Sequence, residues 1–519
     1  MRLEAPISST PSAPSTTRTR HALLASVFVI ASCGLVYELV AAALASYLLG
    51  DSITQFSTVI GAYLFAMGLG SWLSRFVGGN LVRRFVEIEL AVGVVGGFTA
   101  AALFLAFAAQ AGPFRALLYL AVLAVGVLVG LEIPLVMRIL KREVAFKDLV
   151  SQVLAVDYLG ALAVSLLFPL LLAPWLGLMR TGLLFGLFNV GVAIFALSLF
   201  RAQLVSVRSL RATAAVCFVL LGGGLALAGQ VSDMAESWIY ADKIIYAQNS
   251  PYQRIVVTRW RDDVRLFLNQ NLQFSSKDEY RYHEALIHPG LAALPQARRA
   301  LVLGGGDGFA VREILRYPQI TSVTLVDLDP AMTQIFSTAP LLRQLNDNAL
   351  NDKRVTVIND DAARWLEEHV DVFDFIVADF PDPSNFSLGK LYSTGFYRLL
   401  QRHLAPGGRL VVQATSPFYA RRSFWTIVAT LRAAGLQTSP YHALVPSFGE
   451  WGYVLAGVEP AVPPSVYPPG LRFLTIDGTP DLFRFPADME YLPMEPNRLN
   501  EQSLVRIFEQ EWHGVAGNH

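Results

Sequence analysis

The sequence predicts a multi-pass α-helical membrane domain followed by an α/β, Rossmann-like domain. Three observations lead there. Mean hydropathy is +0.44 over 519 residues, too apolar for an ordinary soluble chain and too long for one domain. Only 16% of residues are charged, and they gather toward the C-terminal half, so the apolar excess sits in one N-terminal block. From Arg299 onward, short apolar runs alternate with amphipathic stretches, as repeated βαβ units around a parallel sheet do.

Composition excludes several classes. The formal net charge is zero, so bulk attraction to nucleic acid has no support. Cys33 and Cys217 both lie in apolar stretches, and the histidines show no metal-ligand spacing. Neither a disulfide framework nor a metal site is implied.

Residues 1–20 are rich in Ser, Thr and Pro and end in Arg18 and Arg20, which reads as a flexible tail. Over 21–231 there are about seven apolar runs of roughly 17–28 residues, each long enough to span a bilayer. They lie near 22–49, 53–73, 90–109, 116–137, 152–176, 181–200 and 213–229. Arg75, Arg83 and Arg84 follow the second run; Arg138, Lys141, Arg142 and Lys147 follow the fourth; Arg201, Arg208 and Arg211 follow the sixth. The turns between carry only Asp51, Arg115 and Arg180. The positive-inside rule then puts the N-terminus in the cytoplasm. Seven crossings leave the C-terminal domain outside. A re-entrant seventh run, interrupted by Gly222, Gly223 and Gly224, returns it to the cytoplasm. Both topologies stay open at this point.

Glu38, Glu132 (just before Pro134) and Asp157 fall inside or near the ends of these runs. A carboxylate in lipid is costly and usually faces a bundle interior or a cavity. They mark either a cation or polyamine path or helix-packing hydrogen bonds.

The C-terminal half reads as a nucleoside-binding core. Ala300–Leu303 is the first strand, running into Gly304-Gly305-Gly306-Asp307-Gly308 and a helix through Arg316. Glycines there permit a tight turn and close backbone approach to a ligand at the helix N-terminus. Ser322–Val326 is a second strand ending in Asp327, spaced so that its carboxylate can accept from ribose hydroxyls. Val355–Ile358 leads to Asn359-Asp360-Asp361-Ala362, where an acid can meet an adenine amino group. Phe373–Val377 delivers Asp379-Phe380-Pro381-Asp382-Pro383 to the same edge. Ligands of open α/β sheets bind beyond the carboxyl ends of the strands, so Asp307, Asp327, Asp361, Asp379 and Asp382 converge there. Asp360 or Asp361 can also cap a helix.

Asp307 narrows the ligand. It repels the carboxylate of S-adenosylmethionine but attracts the free ammonium of the decarboxylated form. Asp379 and Asp382 suit a cationic amine acceptor.

These motifs, with Tyr252-Gln253 and Asp278-Glu279-Tyr280-Arg281-Tyr282-His283-Glu284 before them, resemble the spermidine synthase family of polyamine aminopropyltransferases over about 236–500. The membrane half resembles that family's membrane-fused bacterial branch. The resemblance implies a methyltransferase-type Rossmann-like domain over 296–519, preceded at 236–295 by a small β-domain, to which the alternation in Arg254–Thr258 corresponds. It implies decarboxylated S-adenosylmethionine as co-substrate, no cofactor or metal, a polyamine such as putrescine as acceptor, and self-association, since soluble relatives form dimers or tetramers. By position, Gln253 contacts the thioadenosine and Asp327 the ribose. Gly304 and Gly306 line the nucleoside, and Asp361 and Ala362 lie near adenine. His283 and Asp307 meet the amine-bearing part of the substrates, Tyr282 orients the attacking nitrogen, Asp379 is the general base, and Asp382 holds the far ammonium.

There are departures. Asp327 stands where soluble members usually carry Glu. Ser384-Asn385-Phe386 replaces a Gly-Pro loop. The family's Pro-Thr-Tyr-Pro-Ser-Gly gate reads Val445-Pro446-Ser447-Phe448-Gly449-Glu450-Trp451-Gly452. Loss of that tyrosine leaves the acceptor's identity open, and Glu450 is either a further cation contact or a surface charge. A second functional reading has the bundle moving or sensing polyamines beside a non-catalytic nucleoside-binding domain, against which the intact Asp379 and Asp382 argue. A third, a methyltransferase, is disfavoured by Asp307.

Overall fold

A computed structural model describes residues 14–49, 53–109, 113–141, 146–204, 207–240 and 242–516. The chain divides into two compact units, Met1–Ala241 and Asp242–His519. Residues 1–13 of the expected tail, and Asp51 and Arg142, lie outside the described residues, while Pro14 already opens a helix.

The first unit contains α1 (Pro14–Leu49), α2 (Ile53–Leu73), α3 (Leu81–Ala108), α4 (Phe114–Leu140), α5 (Phe146–Leu167), α6 (Gly177–Leu199) and α7 (Val207–Ile239). Six segments among the described residues are long and apolar enough to cross a membrane. One of them, Val150–Leu199, runs for 50 residues through α5, a π-helical stretch at Phe168–Leu176, and α6. Pro169 and Pro174 each lack a backbone donor, which loosens the ladder there. Gly177, at φ +76°, then breaks the helix direction. Small residues let the helices touch backbone to backbone: a Cβ on Gly130 would lie 2.1 Å from the Met67 carbonyl oxygen, and one on Gly186 2.5 Å from that of Gly93. The expected interruption at Gly222–Gly224 does not occur. α7 is continuous across it, because Gly224 packs against Phe98 and Leu183 while the other two glycines face open space. Glu132 and Glu38 are buried and Asp157 half-buried.

In the second unit, β1 (Lys243–Asn249), β2 (Arg254–Trp260), β3 (Asp263–Leu268) and β4 (Asn271–Ser275) form an antiparallel sheet in chain order. The helix α7 takes up 236–239, so the strands begin at Lys243. Then come α8 (Glu279–Leu291), β5 (Arg299–Gly304), α9 (Phe309–Leu315), β6 (Ser322–Asp327), α10 (Pro330–Thr338), α11 (Pro340–Leu345), β7 (Val355–Asn359), α12 (Ala362–Glu368), β8 (Phe373–Asp379), β9 (Leu404–Gln413), β10 (Gln437–Val445) and β11 (Gly449–Gly457). The seven-stranded sheet has the order β10-β11-β9-β8-β5-β6-β7, parallel from β9 to β7 with an antiparallel β10–β11 hairpin at one edge. Both faces are covered. Ala300, Val302, Phe375 and Val377 join one core while Leu301, Leu303, Ile376 and Ala378 join the other, as the two-residue period of a strand dictates.

One buried carboxylate fastens the C-terminal segment to this layer. Glu284 on α8 accepts from the backbone N–H groups of Arg472, Phe473 and Leu474 at 2.7, 2.9 and 3.0 Å. Glu284→Ala leaves three backbone donors without this partner, the Leu474 N–H among them buried, and is expected to cost about 3 kcal/mol. Thermal unfolding of the purified variant checks this, and an unchanged melting temperature would refute it.

Candidate active site

The site is assembled at the C-terminal edge of the parallel strands. Register places Gly304 of β5 beside Asp379 of β8, and Asp327 of β6 beside Asn359 of β7. The switch in strand order falls between β5 and β8, the position where such sheets open a ligand crevice. Gly304 adopts φ +76°, and a Cβ there would fall 2.2 Å from the Asp379 carbonyl oxygen. At Gly306 a Cβ would fall 2.7 Å from Asp327 Oδ2. Only glycine fits either position.

On the nucleoside side, Asp327 accepts from the Gly306 N–H at 3.0 Å and the Asp329 N–H at 2.8 Å. Asp329, not singled out in the sequence, ties the small sheet to this edge. It takes Ser250 Oγ at 2.7 Å, Gln253 Nε2 at 3.0 Å and the Ala331 N–H at 3.0 Å. Gln253 therefore reaches the site through Asp329. Asp361, rather than Asp360, caps α12: its Oδ1 accepts from the Ala363 and Arg364 N–H groups at 2.9 and 3.2 Å. Its Oδ2 meets Lys390 Nζ at 2.6 Å. Ala362 begins that helix and is buried. Burial alone would raise the Asp361 pKa, but Lys390 and the helix N–H groups outweigh it and hold the carboxyl below its ordinary value.

On the other side, Tyr282 Oη donates to Asp379 Oδ1 at 2.6 Å, leaving Oδ2 facing Gly305, whose Cβ would lie 3.2 Å from it. Burial raises the Asp379 pKa; His283 and the Tyr282 hydrogen bond hold the rise back. Asp382 accepts from Gln413 Nε2 at 3.2 Å and Thr415 Oγ1 at 3.3 Å, and burial pushes it up to about 6. Thr415 holds φ +58°, a strained setting for a β-branched residue of the kind found at working sites. Asp307 Oδ1 accepts from the Phe309 N–H, at the start of α9, at 3.0 Å. Burial pushes it to about 6, with nearby Asp379 raising and His283 lowering it. Asp327 likewise reaches about 6 by burial.

His283 is oriented from behind. Its Nδ1 donates to the Glu279 carbonyl oxygen at 2.8 Å and lies 3.0 Å from Glu279 Oε2. Arg312 in turn grips Glu279 with two guanidinium nitrogens at 2.9 and 3.1 Å. Burial lowers the His283 pKa, yet Glu279, Asp307 and Asp379 raise it more. In place of a gate tyrosine, Phe448 packs 6.1 Å from the Tyr282 ring and 5.2 Å from Trp451. Trp451 Nε1 donates to Gln413 Oε1 at 3.2 Å. Glu450 pairs with His442 at 2.5 Å, so its charge is already matched by a neighbour. Gln413 and Thr415 were missed by sequence reasoning, although Gln413 ends a strand at the very edge where ligands bind.

Acids thus gather from the ends of β5, β6 and β8 at one edge of the sheet. Among the described residues, no lysine or arginine hydrogen-bonds to Asp307, Asp379 or Asp382. Such a site is complementary to a cation.

Comparison with known proteins agrees. The spermine/spermidine synthase domain family matches residues 279–465. Polyamine aminopropyltransferase 2 and 1 of Ralstonia nicotianae are each 59% identical over 95% of this chain, covering 98% and 95% of their own lengths. Polyamine aminopropyltransferase of Leptospira interrogans is 51% identical over 95% of this chain and 99% of its own. A solved spermidine synthase from Thermotoga maritima is 23% identical, with a TM-score of 0.43 over 47% of this chain and 85% of its own. On the strength of the full-length relatives, the chain belongs to the polyamine aminopropyltransferases, the family of the spermine and spermidine synthases.

Proposed function

We propose that the second unit transfers the aminopropyl group of decarboxylated S-adenosylmethionine to putrescine or a related polyamine, releasing methylthioadenosine. The observation that carries this reading is the set of half-buried acids Asp307, Asp379 and Asp382, gathered at one edge of the sheet with no lysine or arginine among the described residues bonded to them. A carboxylate-free sulfonium nucleoside and an amine supply the missing positive charge.

Asp327, Gly304 and Gly306 hold the nucleoside, with Asp361, Ala362 and Gln253 at its margin. Asp307 and His283 meet the donor's ammonium end. Asp382, braced by Gln413 and Thr415, takes the acceptor's far ammonium. The near amine is a nucleophile only when neutral. Asp379 Oδ2 accepts its proton, while Tyr282 fixes Oδ1 and so the direction of the free lone pairs. The amine nitrogen then bonds to the aminopropyl carbon, the carbon–sulfur bond breaks, and its electron pair stays on sulfur as a neutral thioether. Positioning both reactants in line supplies much of the rate.

The test is direct. Purified full-length protein is incubated with labelled decarboxylated donor and putrescine, and products are separated by chromatography. Label in a lengthened polyamine is expected; unmodified S-adenosylmethionine in a parallel reaction gives none. Absence of any labelled polyamine would overturn the reading.

The first unit is proposed to sit in the cell membrane as a multi-pass bundle. A helix of 50 residues would be about 75 Å long, more than twice a hydrocarbon core. The break at Gly177 therefore supports two crossings from that segment and about seven in all.

A further inference from the structure

We propose that Glu89 and Glu132, in the interior of the helical unit, form with Asn189 and Tyr37 a binding site for one exchangeable proton. Four helices contribute: Tyr37 from α1, Glu89 from α3, Glu132 from α4 and Asn189 from α6. Both glutamates and Asn189 have 0% exposure, and Tyr37 has 3%.

The hydrogen count carries the proposal. Tyr37 Oη donates to Asn189 Oδ1 at 2.9 Å, which fixes the amide's orientation; the reverse flip would turn its oxygen toward two carboxylates. Asn189 Nδ2 then points at Glu89 Oε2 at 2.8 Å and Glu132 Oε1 at 3.5 Å. An amide nitrogen has two hydrogens, and both are spoken for. Glu89 Oε1 and Glu132 Oε2 remain buried with no partner. Two neighbouring carboxylates with no bonded cation cannot both stay ionised in a dry interior. One added hydrogen removes one of the two negative charges.

The size of the ligand follows from the packing. A Cβ on Gly96 would lie 2.8 Å from the Tyr37 ring, and one on Gly93 2.8 Å from the Gly186 carbonyl oxygen. Backbone contact between α3 and α6 at Gly93, one turn from Glu89, suits a proton, and an ammonium group would have to force these two helices apart. The other titratable groups acting on the site are Cys33 on α1, Tyr63 on α2 and Asp157 on α5, with Glu38 beside Tyr63. None is a cation.

Infrared difference spectroscopy of the full chain in lipid nanodiscs tests this. The unmodified protein should show a protonated-carboxyl C=O band that shifts in heavy water and changes with pH. Glu89→Gln with Glu132→Gln should abolish it at unchanged helix content. Asn189→Leu should keep the band but move it to higher frequency, since the donated hydrogen bonds are lost. No such band in the unmodified protein, or a band surviving the double substitution, overturns the proposal. So does a band that emerges only after sodium, potassium or spermidine is removed, which would assign the site to a larger cation.

Discussion

Asp379→Asn is expected to lower turnover by about 10²–10⁴-fold, the usual contribution of a positioned general base. The amide keeps the shape of the carboxylate and can still meet Tyr282, but it cannot take a proton from the amine. The nucleoside contacts belong to β5, β6 and α12, so methylthioadenosine affinity should stay within a few-fold. Single-turnover kinetics with labelled donor, beside equilibrium binding of methylthioadenosine, separates the two effects. Turnover above about a tenth of normal would remove Asp379 from the role of base. Loss of nucleoside binding together with turnover would instead mean that the substitution disturbs the Gly304 contact.

A steep pH dependence is the second large effect. Burial pushes the carboxyls of Asp307, Asp327 and Asp382 each up to about 6, above the ordinary aspartate value of about 3.9. A raised carboxyl pKa means that the folded state holds its proton more tightly than the unfolded chain. The stability this contributes is full below about 3.9 and is lost as pH rises through about 6. Binding of cationic substrates has the opposite sign, because it needs the ionised form. Between about pH 7 and pH 5, kcat/KM for the amine should fall by roughly tenfold for each of these acids that must ionise. Over the same range the melting temperature of the free protein should rise, and the extra stabilisation from donor plus amine should shrink. Glu313 moves the other way. Although burial would raise it, His288, Arg312 and Arg316 hold it at about 2, so its contribution is present above the ordinary glutamate range and lost only as pH falls through about 2. A kcat/KM profile flat from about pH 5 to 7 would refute charge recognition by Asp307 and Asp382.

Much of the second unit is legible in its sequence, for a physical reason. Strands buried on both faces read as short apolar runs, and the ligand edge of a parallel sheet is always the same edge. The four runs beginning at Ala300, Ser322, Val355 and Phe373 appear as β5 to β8 within a residue or two, and each aspartate expected at their ends lies at that edge. Long-range partnerships are not written in any local pattern. Asn189 lies 100 residues from Glu89, and neither residue departs from the apolar rhythm of its helix enough to stand out. Arg312 reaches Glu279 across 33 residues and Gln413 reaches Asp382 across 31; both are ordinary polar residues until the fold pairs them. Gly222–Gly224 misled in the other direction. Three glycines weaken an isolated helix, but packing on one side carries α7 through them.

The crossover between β5 and β8 has a practical corollary. On the proposed reading, the adenosine contacts other than Gln253 lie on one flank of that seam, at the ends of β5, β6 and β7. On the same reading, Asp379, Asp382 and Thr415, assigned to the amine, lie on the opposite flank, at or just beyond the ends of β8 and β9. Substitutions at Thr415, Phe448 and Trp451 are therefore expected to change acceptor preference and leave donor choice in place, and a chimera joined along this seam is expected to take its two selectivities from different parents.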